Sequence, residues 1–479
     1  MPMMNIESDL QPNLRDALRR VVVAWLFGAA WMYMVSGAIF TRYAKLLHVS
    51  NFGFGILATI PFLGALVQLP ASLILERYGR RRQIFLWCAT LHRLLWLVIA
   101  ALPWLFPPSW QWPALLVVIL LSTVLANISS PAWLAWMAEL IPGRLRGRYF
   151  SRRIQFGQAV GLVLSFLTGL VLDWPQPDEQ ILLRNVISIL FAVASLCGVV
   201  DILLFLKVPD PARTARRPSL TLRELVHGPL LDSNFRRFLG YSFSMTFATG
   251  FMGQFVWLYL FDEVGMSNSH ANLLLVSIPL LVGMASYPFW GRIVDRFGSK
   301  PALIAAGFLV VNGASVWIFV TRDSWIPAYL FSIIATAAWA GMDIGGFNLL
   351  LRMTESGDRR RTSNTAVIAI NSVVVAIAGT LSGVFGGSIA EWLGNDWRTT
   401  ICGWPLTYHG VLFLSSSVLR LAALGWLFSL TETRGKMATR EAFRYMATNV
   451  YSNLLQATFF PARVIIRLAR DSWKITGKK

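Results

Sequence analysis

The sequence predicts an all-α membrane protein with twelve transmembrane helices, arranged as two six-helix halves. Hydrophobic residues make up 55% of the chain and charged residues only 14%, whereas a typical soluble domain is about one quarter charged. The hydrophobic residues fall in runs of about 20, which as helices are long enough to cross a hydrocarbon core of roughly 30 Å. Tryptophans gather at the ends of these runs, as in WLFPPSWQW at 104–112, where amphipathic rings suit the membrane interface.

Polar and helix-breaking residues divide the chain into twelve predicted helices, which we number 1 to 12. They cover residues 18–43, 53–75, 83–106, 113–140, 152–173, 181–207, 238–262, 270–290, 300–320, 325–351, 364–391 and 405–430. The first run is too long for a cleavable signal peptide and is expected to remain as helix 1. Cys88, Cys197 and Cys402 lie in or beside hydrophobic runs without a CxxC spacing. We therefore expect no disulfide framework, metal site or cofactor.

The distribution of lysine and arginine predicts the orientation in the membrane. The connections after helices 2, 4, 8 and 10 hold 16 of these residues, whereas the odd-numbered connections hold only Arg42, Lys45, Arg184, Arg322 and Arg398. Because basic residues are retained on the cytoplasmic side, both termini are predicted to be cytoplasmic. This bias and a basic tail account for most of the net charge of +19. No nucleic-acid partner is needed to explain that charge.

An internal duplication is indicated by two similar charged loops, one in each half. A shift of 219 residues places Glu76, Arg77 and Gly79 on Asp295, Arg296 and Gly298. The longest interior polar segment contains PDPARTARRPSL and separates six predicted helices from six. The chain is therefore predicted to consist of an N-terminal segment (1–17), a first six-helix bundle (18–207), a linker (208–237), a second pseudo-symmetric bundle (238–430) and a tail (431–479). Two related halves are common among membrane transporters.

The charged loops resemble the signature of the major facilitator superfamily. That signature is a glycine, three variable residues, Asp-Arg, one residue, and then Gly-Arg-Arg or a lysine variant. The second loop, GRIVDRFGSKP, departs from it at Ser299 and matches it at Gly291, Asp295, Arg296, Gly298 and Lys300. The first loop, SLILERYGRRR, has Ser72 and Glu76 in place of the glycine and aspartate but keeps Arg77, Gly79, Arg80 and Arg81. The resemblance covers residues 15–430 and implies the fold of that family.

The residue types in the charged loops predict a turn, a topology signal and a latch. Gly79 and Gly298 permit a tight turn between antiparallel helices, and the basic residues hold the loop in the cytoplasm. The resemblance implies that the acid of each loop docks across the interface between the halves. Its candidate partners are Arg359, Arg360 and Arg361 for Glu76, and Arg148, Arg152 and Arg153 for Asp295. The alternative is that both acids only neutralise neighbouring arginines.

Ionisable residues inside the predicted helices are functional candidates, because they are costly in lipid. Asp343, in WAGMDIGGFN of helix 10, is the first candidate for transport or proton coupling, with a structural acid as the alternative. Arg93 and Asp201 are within reach of each other, so a structural ion pair is favoured. Arg420 in helix 12 has no partner that the sequence identifies. Glu139, at the end of helix 4, is expected to join the latch, and it is the next coupling candidate together with Asp201.

The resemblance implies that helices 1, 4, 7 and 10, with contributions from 2, 5, 8 and 11, line a central cavity. Polar and aromatic residues on these helices predict an aromatic, weakly polar cavity for an amphipathic or aromatic solute, formed by Trp31, Tyr33, Ser36, Gln68, Asn127, Ser130, Trp133, Gln158, Tyr241, Thr249, Gln254, Trp257 and Asn371. Any single tryptophan among them is more typical of packing. Helices 5 and 11 carry small residues that permit close helix contact. Helix 5 lacks the Gly-Pro signature of the family's drug/proton antiporters.

The basic tail predicts a helix on the membrane surface. In PARVIIRLARDSWKITGKK, one stripe is formed by Arg463, Arg467, Arg470 and Lys474. That pattern suits an amphipathic helix on the anionic inner leaflet of a lipid bilayer. A disordered tail is the alternative.

Together these features predict a secondary active transporter of the major facilitator superfamily that moves a small molecule by alternating access. We expect coupling to protons, a monomer, and a location in a bacterial inner membrane, since the outer loops are short and lack glycosylation sequons. No nucleotide loop, metal cluster or nucleophile–base spacing indicates an enzyme. Two alternatives remain. One is a protein of the same fold that assembles or delivers another membrane component without transport, and the other is a passive uniporter.

Overall fold

The computed structural model describes residues 12–176, 178–210, 229–356, 364–401 and 404–431. Within these residues, helical segments lie at all twelve predicted positions. Ten helices of the described chain are long and apolar enough to cross a membrane, and eleven if the bent pair Asn13–Met34 and Ala38–Leu46 forms one span. The remaining predicted span, helix 7, is divided into two shorter helices. The helical, multi-span architecture is therefore confirmed.

The first half contains helices 1 to 6. Their bounds are Pro12–Met34 with Ala38–Leu46 (helix 1), Asn51–Leu66 with Gln68–Tyr78 (helix 2), Arg81–Leu105 (helix 3), Pro108–Leu140 (helix 4), Gly143–Leu172 (helix 5), and Gln180–Leu204 with the 3-10 turn Phe205–Lys207 (helix 6). Helix 5 begins nine residues before its predicted start at 152. Hydrophobicity marks the part of a helix that lies in lipid, and here the helix continues beyond it through basic residues.

The second half contains helices 7 to 12. Their bounds are Ser233–Gly250 with Phe255–Asp262 (helix 7), Asn268–Asn272 with the π-helical turn Leu273–Ser277 and Ile278–Phe297 (helix 8), Ser299–Ser315 with the 3-10 turn Val316–Phe319 (helix 9), Pro327–Ser356 (helix 10), Asn364–Leu393 (helix 11), and Tyr408–Ser429 (helix 12). Side-chain caps fix two of these starts. Asp232 accepts a hydrogen bond from the backbone N–H of Asn234 at 2.8 Å, and Ser267 accepts one from His270 at 3.4 Å.

A short β-hairpin between helices 11 and 12 is absent from the all-α prediction. Strand β1 (Arg398–Ile401) pairs antiparallel with strand β2 (Trp404–Thr407), and Arg398 stands opposite Thr407. The Arg398 guanidinium also contacts the Glu263 carboxylate at 2.7 Å. The hairpin is therefore attached to the end of helix 7. With four residues in each strand, it is too short to give a periodic signal in the sequence.

Among the described residues, the buried hydrophobic side chains form a core shared by the two halves at one end of the molecule. One cluster contains Tyr43 and Phe54 of the first half together with Phe255 and Tyr408 of the second. Two other clusters each belong to a single half. We call the shared end, which carries the connections 47–50, 173–179, 263–267 and 394–407, the joined end. The opposite end, which carries the charged loops 72–82 and 291–301, is the separate end.

Helices 2 and 11 cross at the joined end with their backbones in close contact. A Cβ atom on Gly55 would stand 2.6 Å from the Cα of Gly387, and one on Gly387 would stand 2.9 Å from the Cα of Gly55. Only glycine allows such an approach. The predicted role of the small residues in helix 11 is confirmed, because they let the two halves meet.

Candidate functional site

A break in helix 1 is bound by a side chain of the other half. Gly37 has φ 76, a conformation that favours glycine, and the two parts of helix 1 are bent by 45°. The Oδ1 of Asn272 accepts a hydrogen bond from the backbone N–H of Ala38 at 3.1 Å. Its Nδ2 donates to the backbone oxygen of Ser165 in helix 5 at 2.8 Å. Asn272 is only 1% exposed, so one buried amide of the second half joins two helices of the first.

Charged and polar side chains surround this buried contact. Lys45 at the end of helix 1 forms an ion pair with Asp262 at the end of helix 7. The Nε of Arg42 donates to Asn268 at 2.7 Å, and its guanidinium lies over the ring of Phe261, 4.0 Å from the centroid. These partners come from opposite halves. The joined end is therefore held by polar contacts as well as by its hydrophobic core.

The start of helix 8 receives a carboxylate from the first half. Asp173 accepts hydrogen bonds from the backbone N–H groups of Asn268 at 2.7 Å and Ser269 at 2.9 Å. Helix N-termini carry unpaired N–H groups and a partial positive charge, which favours an anionic partner. The carboxylate can therefore pair with these N–H groups only when the two halves are in contact.

Helices 2 and 11 add a further pair of contacts across the joined end. Glu391 accepts a hydrogen bond from the backbone N–H of Phe52 at 2.9 Å, and Asn51 donates to Asn395 at 2.9 Å. None of the polar residues that make these contacts is predicted to be functional from the sequence. The available signal was their position, since each is a polar residue at the end of a hydrophobic run.

Helix 7 is also broken, between residues 251 and 254, and a cavity of about 300 Å³ adjoins the break. The cavity lies inside the second half and is lined by Thr249, Met252, Gly253, Val256, Trp257, Leu275, Pro279, Val310, Gly313, Trp317, Ser332, Ala335, Thr336, Trp339 and Arg420. Of these, Thr249 and Trp257 belong to the predicted cavity. Trp257 also reaches the interface, because its ring lies 3.4 Å from the position that a Cβ on Gly37 would occupy.

Arg420 is the charged residue of this cavity. Its side chain is 3% exposed and donates to the backbone oxygen of Val310 at 3.0 Å. It also contacts the sulfur of Met252 at 3.7 Å, and the guanidinium lies 5.6 Å from the centre of the Trp339 ring. The Nε atom has no hydrogen-bond partner in the described structure, and no aspartate or glutamate is among the described lining residues.

Asp343, the predicted coupling residue, lies near the same cavity. Helix 10 places it four residues after Trp339 and seven after Thr336, so the three residues share one helix face. The Asp343 side chain is exposed and accepts a hydrogen bond from the Tyr287 hydroxyl of helix 8 at 3.1 Å. No ion pair links Asp343 to a basic side chain within the described residues. An ionisable group thus stands one helical turn from the cavity wall.

The predicted ion pair between Arg93 and Asp201 is present in the first half. Their closest atoms are 3.2 Å apart, and Asp201 is 6% exposed. The Arg93 guanidinium also lies over the Trp31 ring, 3.6 Å from the centroid. Trp31, a predicted cavity residue, therefore packs against helix 3. The contact pattern supports a structural role for this pair.

Several other predicted cavity residues contact neighbouring helices of their own half. Gln68 donates to Asn127 at 2.6 Å between helices 2 and 4, and Tyr33 packs against Gly161 of helix 5. Tyr241 is buried, with its hydroxyl 3.9 Å from the sulfur of Met342. The remaining residues are half-buried or exposed on their helices, namely Ser36, Ser130, Trp133, Gln158, Gln254 and Asn371.

The charged loops make the predicted turns. Gly79 has φ 68 and Gly298 has φ 103, so both take the backbone conformation that glycine allows. Arg81, 6% exposed, forms ion pairs with Glu139 at 2.5 Å and with Asp210 at 2.8 Å. Arg81 and Glu139 therefore hold helix 3, helix 4 and the start of the linker together within the first half.

Several latch residues at the separate end make contacts within their own half. Asp295 is exposed, and no ion pair joins it to another described side chain. Arg153 stacks on Trp25 and Trp133 of its own half, 3.9 Å and 4.5 Å from the ring centroids. Lys300 donates to the last carbonyl groups of helix 12. The tail (432–479) and Arg359, Arg360 and Arg361 lie outside the described residues, as do the side chains of Glu76, Arg77 and Arg148.

Comparison with known proteins agrees with this architecture. The sequence model of the Major Facilitator Superfamily matches residues 22–363. The multi-drug resistance efflux pump PmrA of Streptococcus pneumoniae is 26% identical over 205 residues, which are 42% of this chain and 45% of the pump. The chain thus spans less than half the length of that relative.

Two solved structures share the fold. The nucleoside transporter NupG (D323A mutant) superposes with a TM-score of 0.65 at 11% identity, covering 87% of this chain and 100% of the other. A D-xylose-proton symporter superposes with a TM-score of 0.65 at 18% identity, covering 88% and 99%. The described helices and the family match together show an integral, multi-pass membrane protein. The chain belongs to the major facilitator superfamily of membrane transporters.

Proposed function

We propose that the protein is a secondary active transporter that moves a small amphipathic or aromatic solute by alternating access, coupled to protons. The observation that carries this proposal is the arrangement of the two halves, which share a core at the joined end and have their own cores at the separate end. Alternating access requires two discrete arrangements of such halves around a solute site. The joined end supplies breakable polar contacts for one of them.

The positions of the basic loops support an orientation. The charged loops lie at the separate end, and basic loops are retained in the cytoplasm. The described arrangement is then open towards the cytoplasm and closed towards the outside. Asp295, exposed and without an ion pair among the described residues, fits a latch that forms only when the cytoplasmic side closes. In that state we propose Arg148, Arg152 or Arg153 as its partner.

Asp343 is the proposed proton-coupling residue. An ionisable group in a membrane helix is costly and is retained for function. Its single described hydrogen bond comes from Tyr287, so the carboxyl group can exchange a proton without breaking an ion pair. Asp201, in contrast, is paired with Arg93, and Glu139 is paired with Arg81. One of the similar structures is described as a proton symporter, which agrees with coupling.

Solute flux into vesicles tests the proposal. Purified protein would first be screened by thermal shift, since a bound solute raises the melting temperature by mass action. Stabilising solutes would then be followed into proteoliposomes with and without a pH gradient, with protein-free vesicles as the control. We expect accumulation that depends on the gradient. Flux that is indifferent to the gradient would indicate a uniporter, and the lack of flux for every solute that binds would indicate a non-transporting assembly factor.

A further inference from the structure

We propose that the cavity around Arg420 binds a small aromatic organic anion with a single negative charge. The binding site itself follows from the cavity. We further propose that this anion is the transported solute, and that part rests on the proposed transport function. The cavity has a positive charge without a counter-ion among its described lining residues, aromatic walls, and a volume suited to a small molecule.

The charge of Arg420 is not compensated inside the protein. Its partners are the neutral carbonyl of Val310 and the sulfur of Met252, and its Nε atom is buried without a partner in the described structure. A buried charge is costly unless it is paired. Arg93, a buried arginine of the first half, has Asp201 as its counter-ion. In the second half, a ligand carboxylate would fill that role, and the planar guanidinium suits two hydrogen bonds to it.

The walls of the cavity favour an aromatic body. Trp257, Trp317 and Trp339 line it together with the aliphatic side chains of Val256 and Leu275. Its volume of about 300 Å³ lies at the lower end of the range for small-molecule sites. A bicyclic aromatic acid fits this volume, whereas a large drug does not. The exposed Asp343 on the same helix face would repel a second negative charge, which favours a monoanion.

The site also adjoins the breaks in helices 1 and 7. The cavity contains Met252 and Gly253 of the helix 7 break. The ring of Trp257 extends from the cavity to the break of helix 1 at Gly37. A ligand between Arg420 and Trp257 therefore touches the contact between the halves at the level where helices 1 and 7 are both interrupted.

Binding of 2-naphthoate tests the inference in detergent, where no transport is needed. We expect it to quench the tryptophan fluorescence of the full chain with saturation, and the neutral isostere 2-naphthamide to bind at least about tenfold more weakly, because a charged hydrogen bond is lost. Decanoate has the same carboxylate on a lipid-like chain. Tighter binding of decanoate than of 2-naphthoate would overturn the aromatic assignment in favour of a lipid-derived anion.

Four variants locate the site. Arg420→Gln should weaken 2-naphthoate binding by about tenfold or more. The affinity of Arg420→Lys should lie between those of the wild type and Arg420→Gln, since lysine keeps the charge but lacks the planar guanidinium that makes two hydrogen bonds. Gly313→Leu fills the cavity without changing Arg420. A Cβ there meets only Ala335, at 3.7 Å, so this variant should fold and lose binding. Arg237→Gln, which removes an exposed charge of the same half, should bind as the wild type does.

Three results would overturn the site. They are equal binding of 2-naphthoate and 2-naphthamide, undiminished binding by Gly313→Leu, and no binding by wild-type protein that melts cooperatively. The transport proposal fails separately. Binding without flux would contradict transport alone, and flux of other solutes without 2-naphthoate binding would contradict this inference alone.

Discussion

The Asn272 side chain accepts a hydrogen bond from the backbone N–H of Ala38, which lies 234 residues earlier in the sequence and in the other half. The N–H group is available because helix 1 is broken at Gly37. The amide therefore satisfies a buried backbone donor that the helix itself does not. Since an unpaired buried N–H is costly, this contact favours the arrangement in which the joined end is closed.

Replacing Asn272 with leucine should weaken the joined end. Asn272→Leu keeps the volume but leaves the N–H of Ala38 unpaired, at a cost of about 1 to 3 kcal/mol. We expect a cysteine at Phe54, which is 3% exposed, to react faster with a membrane-impermeant maleimide in a background without native cysteines. Asn312→Leu is the matched control, because Asn312 donates only to Phe308 of its own helix. Equal labelling in both variants would show that the contact does not hold the joined end.

Much of the fold follows from features that are local in sequence. Runs of hydrophobic residues predict each helical segment, and the duplicated Gly79 and Gly298 predict two turns with positive φ. The pairing of Arg93 with Asp201 could be predicted because two opposite charges within hydrophobic helices have few other partners available. In each case the feature depends on the residues of one segment, or on a single residue of opposite charge that the sequence identifies.

The contacts between the halves could not be predicted in this way. Asn272 is an ordinary polar residue in the sequence, because its partner, the N–H of Ala38, is exposed only by the break at Gly37. The cavity is formed by five helices, and it includes the break in helix 7. Arg420 can therefore be recognised as part of a site only when the packing of these helices is known. The hairpin and the longer helix 5 were missed because hydrophobicity reports burial in lipid and not backbone conformation.

Neutralising Asp343 should separate solute binding from coupling. Asp343→Asn keeps the shape and can still accept a hydrogen bond from Tyr287, but it cannot exchange a proton. We expect accumulation driven by a pH gradient to be abolished while solute exchange at equal pH persists. Asp343→Glu should retain part of the activity with a shifted pH optimum. Accumulation against a gradient by Asp343→Asn would assign a structural role to Asp343 and leave Asp201 or Glu139 to be tested.

Breaking the Arg93–Asp201 pair should destabilise the protein more than it affects coupling. Asp201→Asn leaves a buried guanidinium without its counter-ion, and loss of one partner of a buried pair costs about 3 to 5 kcal/mol. A clear fall in melting temperature is expected. Replacing both residues, as in Arg93→Leu with Asp201→Leu, should recover part of it. If the single and double variants melted alike, or as the wild type does, the pair would not be a structural element.

Removing the charge of Asp295 should favour the arrangement described here. Asp295 is exposed in this arrangement, so Asp295→Asn should hardly change its free energy. The same substitution should destabilise the opposite, cytoplasm-closed state by about 1 kcal/mol. The equilibrium then shifts several-fold. Cysteines placed along the cleft at the separate end should be labelled faster, and transport should slow. Asp232→Asn, which changes a helix cap of the same half, is the control. Unchanged labelling and transport would show that Asp295 only neutralises neighbouring basic residues.

A reversible cross-link across the joined end tests alternating access most directly. Asn51 and Asn395 belong to different halves, and their side chains are 2.9 Å apart. In a background without native cysteines, Asn51→Cys with Asn395→Cys should form a disulfide on oxidation. Arg398→Cys with Thr407→Cys is the matched control, since these two residues stand directly opposite each other in the hairpin and lie within one half.

The decisive measurement is flux of a stabilising solute in proteoliposomes before oxidation, after it, and after reduction. If the joined end must open in every cycle, the disulfide between positions 51 and 395 should stop transport, and reduction should restore it. The disulfide between positions 398 and 407 should leave transport nearly unchanged. Full transport by protein that is completely cross-linked between positions 51 and 395 would contradict alternating access through the joined end.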